Sequence, residues 1–406
     1  MKKEILFVIN TLGNAGAEKS LIRLLSVLNP TDYEIYLYVM LNQGDLISDL
    51  PPYVHLLNKN LSPLPVLNAS GRKHLILELV KSFFRHGAGI STFFYSFRVG
   101  LEMLKRKDFR WDKLLWKMVA VGAPGMSKEF DLAIAFLEGA SSYFVADYVK
   151  AKKKLAWVHV DMESAGYTPL QVENCYDAFD HIFAVSEDVK KSFLNIYPKG
   201  RDKTDIFENL IDEKEIKSLA KKDETVEFDA NAFSILSVGR LHEQKAYDLA
   251  IQAMDLIRRK KQDIKWYVIG DGPERERLLK RIRELGLEEH FFLLGAKKNP
   301  YPYFLNCDLY VHATAYEGKS VAIAEAQCLG KAVIASDVSG NREQLTDGYD
   351  GVICDLDEKA LAEAVLNLVK DENLRRKIEA NNQKKIFRYE KKDLDRILCF
   401  LREDEI

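Results

Sequence analysis

Apolar runs and helix-spaced apolar stripes alternate along this chain. Ile5–Ile9 is an unbroken apolar run, the pattern of a parallel strand covered on both faces. A glycine-containing turn follows. Leu21, Leu24, Leu25 and Leu28 then fall on one face of a helix. Glu34–Leu41 is the next strand, and Leu132–Phe136, Lys154–His159 and Ile182–Val185 continue the series. The second half repeats the grammar. Strand Phe233–Val238 precedes Gly239 and a helix over 247–260. Strand Trp266–Ile269 ends in Gly270-Asp271-Gly272-Pro273 before a helix over 274–285, and strand Phe291–Leu294 precedes Gly295. Strand Leu309–His312, a helix near 320–329 and strand Ala332–Ala335 follow. Strand–turn–helix units in two separate blocks predict an α/β chain of two Rossmann-like doubly wound domains. The boundary falls near 205–215, where strand-like Asp205–Glu208 leads into Asn209-Leu210-Ile211-Asp212 and a charged helix. The polar stretch Asp223–Asn231 reads as a surface loop.

Composition narrows the class. With 406 residues, 47% apolar and 30% charged, the chain has material for two cores and does not read as disordered. Its 59 basic and 61 acidic side chains leave a net charge of −2, which gives no overall argument for nucleic acid as a partner. Five scattered cysteines (Cys175, Cys307, Cys328, Cys354, Cys399) form no C-x-x-C pair, so they read as buried thiols in a reducing cytosol. Lys2-Lys3 resembles the start of a signal peptide, but the apolar run ends at Asn10, and no stretch reaches the ~18 apolar residues of a membrane span. The expectation is a cytoplasmic protein that can touch the inner face of a membrane. Residues 71–124 supply the reason. They hold 11 Lys+Arg against 4 Asp+Glu and nine aromatics, among them Phe83-Phe84, Phe93-Phe94-Tyr95, Trp111 and Trp116. Such an insertion either lies on an anionic membrane or grips a hydrophobic acceptor, or it packs its aromatics inward as a helical hairpin.

The chemistry gathers at strand ends. In Glu317-Gly318-Lys319-Ser320-Val321-Ala322-Ile323-Ala324-Glu325, two carboxylates flank the start of a helix. Its unpaired N–H groups and partial positive charge suit a diphosphate, and a carboxylate accepts two sugar hydroxyls at once. Read alone, the pair is equally a turn glutamate and a helix-surface glutamate. Gly239-Arg240-Leu241 follows a strand directly, with Lys245 five positions on. Open α/β sheets bind ligands at that end, and a guanidinium fork beside an ammonium neutralises a diphosphate. Gly13-Asn14-Ala15-Gly16-Ala17-Glu18 is a third glycine turn, though no G-x-G-x-x-G occurs.

The ordered set Gly16-Ala17-Glu18, Gly239-Arg240…Lys245, Gly270-Asp271-Gly272-Pro273-Glu274, Gly295, Glu317…Glu325 and Ser339-Gly340…Glu343 resembles the retaining glycosyltransferases of family 4. Their architecture of two Rossmann domains facing across a cleft is called GT-B. The resemblance is strongest over 233–370, weaker over 1–40 and 154–212, and absent over 60–125. It implies an N-terminal acceptor-side domain over 1–208, carrying the 71–124 insertion and a returning C-terminal helix at about 383–406. It implies a nucleotide-sugar-binding domain over 209–382. By resemblance, Glu325 holds the ribose and Glu317 contacts the donor sugar near the reacting centre. Arg240 and Lys245 hold the diphosphate, with the backbone of Gly318, Lys319, Ser320 and Val321 and with Gly16. Gly270 and Gly295 line base and ribose. His159, in Trp157-Val158-His159-Val160-Asp161, contacts the transferred sugar, while Ser186-Glu187 and Asn209 match positions near the hinge. Asp161 either orients His159 or caps the next helix.

Three departures stand out from the family pattern: Ala246 for a glycine, Lys319-Ser320 for an apolar-Gly pair, and Asn341-Arg342 for a glycine-containing run. Lys319 either adds a phosphate contact or projects into solvent. Asp355-Leu356-Asp357 and Asp393-Leu394-Asp395 have D-x-D form, but the first suits a helix cap and the second a charged helix. No metal site and no cofactor are expected. The reading is transfer of a hexosyl group from a nucleotide diphosphate sugar to a glycan or lipid-linked acceptor, with retention. A nucleotide-sugar epimerase of the same fold and a non-catalytic membrane-associated scaffold are the competing readings.

Overall fold

A computed structural model describes residues 2–13, 15–64, 69–84, 90–105, 111–222, 225–387 and 391–402. Asn14, 85–89 and 106–110 of the insertion, 223–224 of the polar stretch, and 388–390 and 403–406 of the C-terminal helix lie outside the described residues. So do the side chains of Phe83, Phe84, Phe93 and Trp111. The chain divides into two units, Met1–Leu210 with Glu390–Ile406, and Ile211–Tyr389.

The first unit is built on seven parallel strands: β1 (Lys3–Ile9), β2 (Tyr33–Val39), β3 (Val54–Leu56), β4 (Glu129–Ala135), β5 (Lys150–Val158), β6 (His181–Ala184) and β7 (Thr204–Ile206). They are ordered β3-β2-β1-β4-β5-β6-β7. Ile5 to Ile9 are all buried, which is why both faces of β1 are apolar. Helix α1 (Gly16–Val27) turns Leu21, Leu24 and Leu25 onto the sheet. The helix Lys391–Leu398 belongs to this unit; Leu394, Ile397 and Leu398 join its core, and Arg396 stands 5.5 Å over the Phe183 ring.

The insertion forms α2 (Ala69–Phe84), α3 (Ile90–Lys105) and α4 (Trp111–Val121), and α4 packs on α5 (Ala140–Tyr148). The Tyr95 hydroxyl meets the Tyr143 hydroxyl at 2.9 Å, and the Trp116 ring fills the space beside Gly139, which has φ +96°. Those two aromatics face inward, as in a packed hairpin, whereas Phe94 is exposed.

The second unit has six parallel strands: β8 (Phe233–Val238), β9 (Ile264–Ile269), β10 (Phe291–Gly295), β11 (Leu309–His312), β12 (Val333–Ser336) and β13 (Val352–Cys354). Their order is β10-β9-β8-β11-β12-β13. The sheet carries an apolar core on each face. The strand order reverses between β1 and β4 in one unit and between β8 and β11 in the other. Loops leaving the carboxyl ends of those strands diverge there and open a crevice for a ligand.

Candidate active site

In the second unit, every residue singled out from the sequence follows the carboxyl end of a strand. Gly239 and Arg240 leave β8, Gly270 leaves β9, Gly295 ends β10, and Glu317 lies in the loop after β11. The turns touch through their backbones. Gly239 donates to the Ile269 carbonyl (3.0 Å), Gly270 to that of Gly295 (3.0 Å) and Leu241 to that of Asp271 (3.0 Å). A Cβ on Gly270 would press into the Gly239 carbonyl, with the carbonyl carbon at 2.9 Å. Glycine is therefore needed for a close approach of two main chains.

Lys245 ends a short turn tied to the β11 loop. The Gln244 carbonyl accepts from the Ala315 N–H (2.7 Å) and the Thr314 hydroxyl (2.9 Å), and the Gln244 amide donates to the Tyr316 carbonyl (2.8 Å). Ala246 then adopts φ +44°, ψ +33°. An alanine there costs about 1–2 kcal/mol, the physical content of its replacing a glycine.

These ties bring Lys245 and Glu317 into a largely buried ion pair. His312 Nε2 lies 3.2 Å from the same Glu317 oxygen and 3.5 Å from Lys245 Nζ, and its Nδ1 faces the Tyr310 hydroxyl at 3.1 Å. A carboxylate only accepts, so the network assigns the proton to Nε2, with Tyr310 donating to Nδ1. Burial would raise the Glu317 carboxyl, but the Lys245 ammonium and His312 overcome it and hold it well below the usual carboxylate range. Burial, then the Lys245 ammonium, lowers the pKa of His312. Sequence reasoning missed His312, Tyr310 and Gln244. The signal that singled out His159, a histidine closing an apolar strand, is equally present at His312.

The loop then enters the helix Val321–Cys328. Ser320 caps it, its hydroxyl accepting from the Ile323 N–H at 3.3 Å. The Ser320 N–H donates to Gln344 Oε1 (2.7 Å), and the Gln344 amide returns a bond to the Ser320 carbonyl (2.9 Å). The expected cradle of four backbone groups is therefore narrower. The Ser320 amide is spent inside the protein, and the first-turn amides of Val321 and Ala322 are the ones without an intrahelical acceptor. Gly318 is buried, and Lys319 is half-buried. Gly340 packs on the backbone of Glu317 and Gly318, its added Cβ meeting the Glu317 carbonyl carbon at 2.9 Å. Glu325 is buried and accepts from the Tyr301 hydroxyl at 2.9 Å. Arg240 is exposed and makes no ion pair among the described residues.

Gly16, His159 and Asn209 belong to the first unit. Gly16 opens α1, His159 follows β5, and Asn209 follows β7. The His159 N–H donates to Glu138 Oε2 (2.9 Å), and its ring lies 5.1 Å from that of Phe136. Its Nε2 is buried and finds no partner among the described residues. Asp161 does not orient it. It accepts from the Ser164 N–H (3.0 Å) and from the Ser192 hydroxyl (2.6 Å), closing a turn over 162–166, and it does not cap the next helix either, since Pro169–Tyr176 is capped by Thr168. Asn10 joins this cluster, donating to the Glu138 carbonyl at 2.9 Å and accepting from the Ser141 N–H at 2.9 Å. Ser186 caps the helix Glu187–Ile196. Asp357 caps the helix Glu358–Lys370, accepting from Lys359 and Ala360, and Asp395 pairs with Arg402. The second aspartate of each D-x-D motif thus has a partner within the protein.

Burial pulls the His159 pKa down to about 4 and pushes the Glu138 carboxyl up. An unfolded histidine titrates near 6.5, so between about pH 6.5 and 4 the unfolded chain binds the extra proton. Acidification through that window should cost about 3 kcal/mol of stability. Glu138 acts in the opposite sense and is common to both proteins compared. His159→Gln should therefore lose less stability than the parent between about pH 7 and 4.5 in urea titrations. Equal losses would refute the neutral, buried imidazole.

Residues 220–385 match the family described as Glycosyl transferases group 1. The N-acetylgalactosamine-N,N'-diacetylbacillosaminyl-diphospho-undecaprenol 4-alpha-N-acetylgalactosaminyltransferase of Campylobacter jejuni is 34% identical over 210 residues, 50% of this chain and 53% of the relative. The match thus spans about half the length of that relative. The family match lies within the second unit and covers less than half of the chain. Among solved structures, Anabaena Alr3699/HepE in complex with UDP-glucose superposes with a TM-score of 0.64 at 18% identity, over 99% of each chain. A Staphylococcus aureus TarM mutant in complex with fondaparinux, alpha-GlcNAc-glycerol and UDP has a TM-score of 0.54 at 19% identity, over 66% of this chain and 55% of TarM. The fold is that of the GT-B glycosyltransferases.

Proposed function

We propose that this chain is a glycosyltransferase moving a hexosyl group from a nucleoside diphosphate sugar to a glycan or lipid-linked hydroxyl, with retention and without a metal ion. The observation that carries the reading is the Lys245–Glu317 pair at the carboxyl edge of the second sheet, its lysine in the β8 loop that also presents the exposed Arg240. The relative from Campylobacter, named as a transferase on a diphospho-undecaprenol-linked sugar, supports the acceptor class. HepE and TarM, both solved with UDP or a UDP-sugar, support the donor class.

In this reading the second unit takes the nucleotide sugar. Arg240, Lys245 and the amides of Val321 and Ala322 stabilise the charge that develops on the departing diphosphate. Glu325 holds the ribose hydroxyls, and Gly270 and Gly295 let base and ribose approach the main chain. Glu317, kept ionised by its neighbours, faces the donor sugar. The bond from the anomeric carbon to the diphosphate oxygen breaks through an oxocarbenium-like state. The acceptor oxygen bonds to that carbon on the same face, and its proton passes to the departing phosphate oxygen. The first unit takes the acceptor, and uncharged His159 offers Nε2 to a sugar hydroxyl.

A thermal-shift panel of UDP-, GDP-, ADP- and TDP-sugars should select one base. Arg240→Ala/Lys245→Ala should abolish that shift and lower turnover by at least about 10³-fold. Proton NMR should find the product with the anomeric configuration of the donor. Unchanged turnover in the double variant would remove the scheme. An isomerised sugar nucleotide formed without acceptor would point to an epimerase instead.

A further inference from the structure

The insertion helices are apolar on two sides, and one of those sides is exposed. On α3, Tyr95, Val99 and Met103 repeat every fourth residue and face inward, with Val99 and Met103 fully buried. The other side of the same helix carries Phe94, Phe97, Leu101 and Leu104, spaced three, four and three apart, and exposed by 43–60%. On α2, Ile76, Leu77 and Val80 are exposed by 47–59%. Twelve large apolar side chains stand exposed among the described residues, and these two helices hold seven of them. A surface helix in water needs one apolar stripe, not two.

Charge separates on the same helices. Lys73 and Lys81 on α2 and Arg98 and Lys105 on α3 are exposed. The acidic residues turn inward: Glu78 is buried, accepting from Asn42 (3.2 Å) and Lys81 (2.6 Å), and Glu102 is half-buried. The sequence joining the helices adds Arg85, Arg106, Lys107 and Arg110 against Asp108. Exposed aromatic and aliphatic side chains amid outward cations complement an anionic lipid surface, where the apolar groups enter the acyl boundary and the cations meet phosphates.

We propose that the outward faces of α2 and α3 dock this protein on an anionic bilayer, with Phe97, Leu101 and Leu104 as the inserting stripe. The biological use of this docking rests on the lipid-linked acceptor proposed above, whose reactive end sits at such a surface; the docking itself is read without any transfer. The full chain is sedimented with vesicles of phosphatidylcholine, with and without phosphatidylglycerol, at low and high salt. It should pellet with the anionic vesicles and be largely released by salt. Phe97→Ser/Leu104→Ser should weaken binding at least about tenfold, and Lys73→Glu/Arg98→Glu/Lys105→Glu should erase the preference for anionic lipid. Nucleotide-sugar thermal shifts should be unchanged in both variants, so failure of donor binding is scored separately. Absence of pelleting, or equal pelleting by the variants, overturns the proposal. So does a dimer in sedimentation equilibrium that the serine variant dissociates, since a second copy would then cover this face.

Discussion

Lys245→Met is expected to destabilise the second unit by about 3–5 kcal/mol at neutral pH and to reduce transfer by at least about 10²–10³-fold. The stability loss does not come from the missing attraction alone. Lys245 and Glu317 are each more than four-fifths buried, so the substitution leaves a carboxylate in a desolvated place with His312 as its remaining partner. That partner makes the loss pH-dependent. In the parent, burial and the Lys245 ammonium both lower the pKa of His312. With the ammonium gone, burial still lowers it, but a proton on His312 is attracted to Glu317, so its folded pKa should stand higher than in the parent. The folded variant then binds that proton more readily than the folded parent as pH falls, which offsets part of its lost stability at low pH. The variant should therefore lie closer to the parent at about pH 5.5 than at about pH 8 in urea titrations. Lys245→Met/Glu317→Gln should recover most of the stability and none of the turnover, because it removes the orphaned charge but not the need for a cation at the diphosphate. A single variant within about 1 kcal/mol of the parent at both pH values would show that the pair is solvated and unimportant.

Legibility of the sequence tracked how local each signal is. The long interior strands β1, β4, β5, β8 and β9 show as apolar runs because both faces of a parallel sheet are covered. Edge strands β3 and β13 are three residues long and too short to make a run. The glycine turns and the Glu317-to-Glu325 spacing were visible because strand ends and helix starts use a few fixed residue types. The partnership of Lys245 with Glu317 was not, for the two stand 72 positions apart and meet only when β8 and β11 pair. Tyr310, Tyr301 and Gln344 were invisible for the same reason: each acts through hydrogen bonds to a residue distant in the chain or through a neighbour that does. Gln344 matters most here, since it claims an amide that the sequence left for a ligand. In the insertion, composition announced apolar and basic surplus, but which aromatics turn inward depends on α5, whose sequence lies outside that segment.

Gly270→Ala is expected to be the most damaging single methyl group in the second unit. The turns after β8 and β9 lie main chain against main chain, and the added carbon would enter the Gly239 carbonyl. A backbone carbonyl cannot rotate aside as a side chain would, so the β8 turn must shift. That turn is held by the Gly239 N–H bond to Ile269 and carries Arg240, with Lys245 five residues on. The change should cost about 1–3 kcal/mol or more in urea titrations and weaken nucleotide-sugar binding at least about tenfold, because the cations move with the turn. Gly286→Ala is the matched control. Gly286 has φ +62°, yet nothing lies within 4 Å of an added Cβ, and it follows the helix Arg275–Glu284 rather than a strand end. It should show only the conformational cost, about 1–2 kcal/mol, with donor binding nearly intact. The order of the two variants is the decisive readout: steric approach hurts binding, whereas backbone strain alone hurts stability. If Gly286→Ala lost donor affinity as severely as Gly270→Ala, or if Gly270→Ala were neutral, the tight contact between the β8 and β9 turns would not be what positions Arg240 and Lys245.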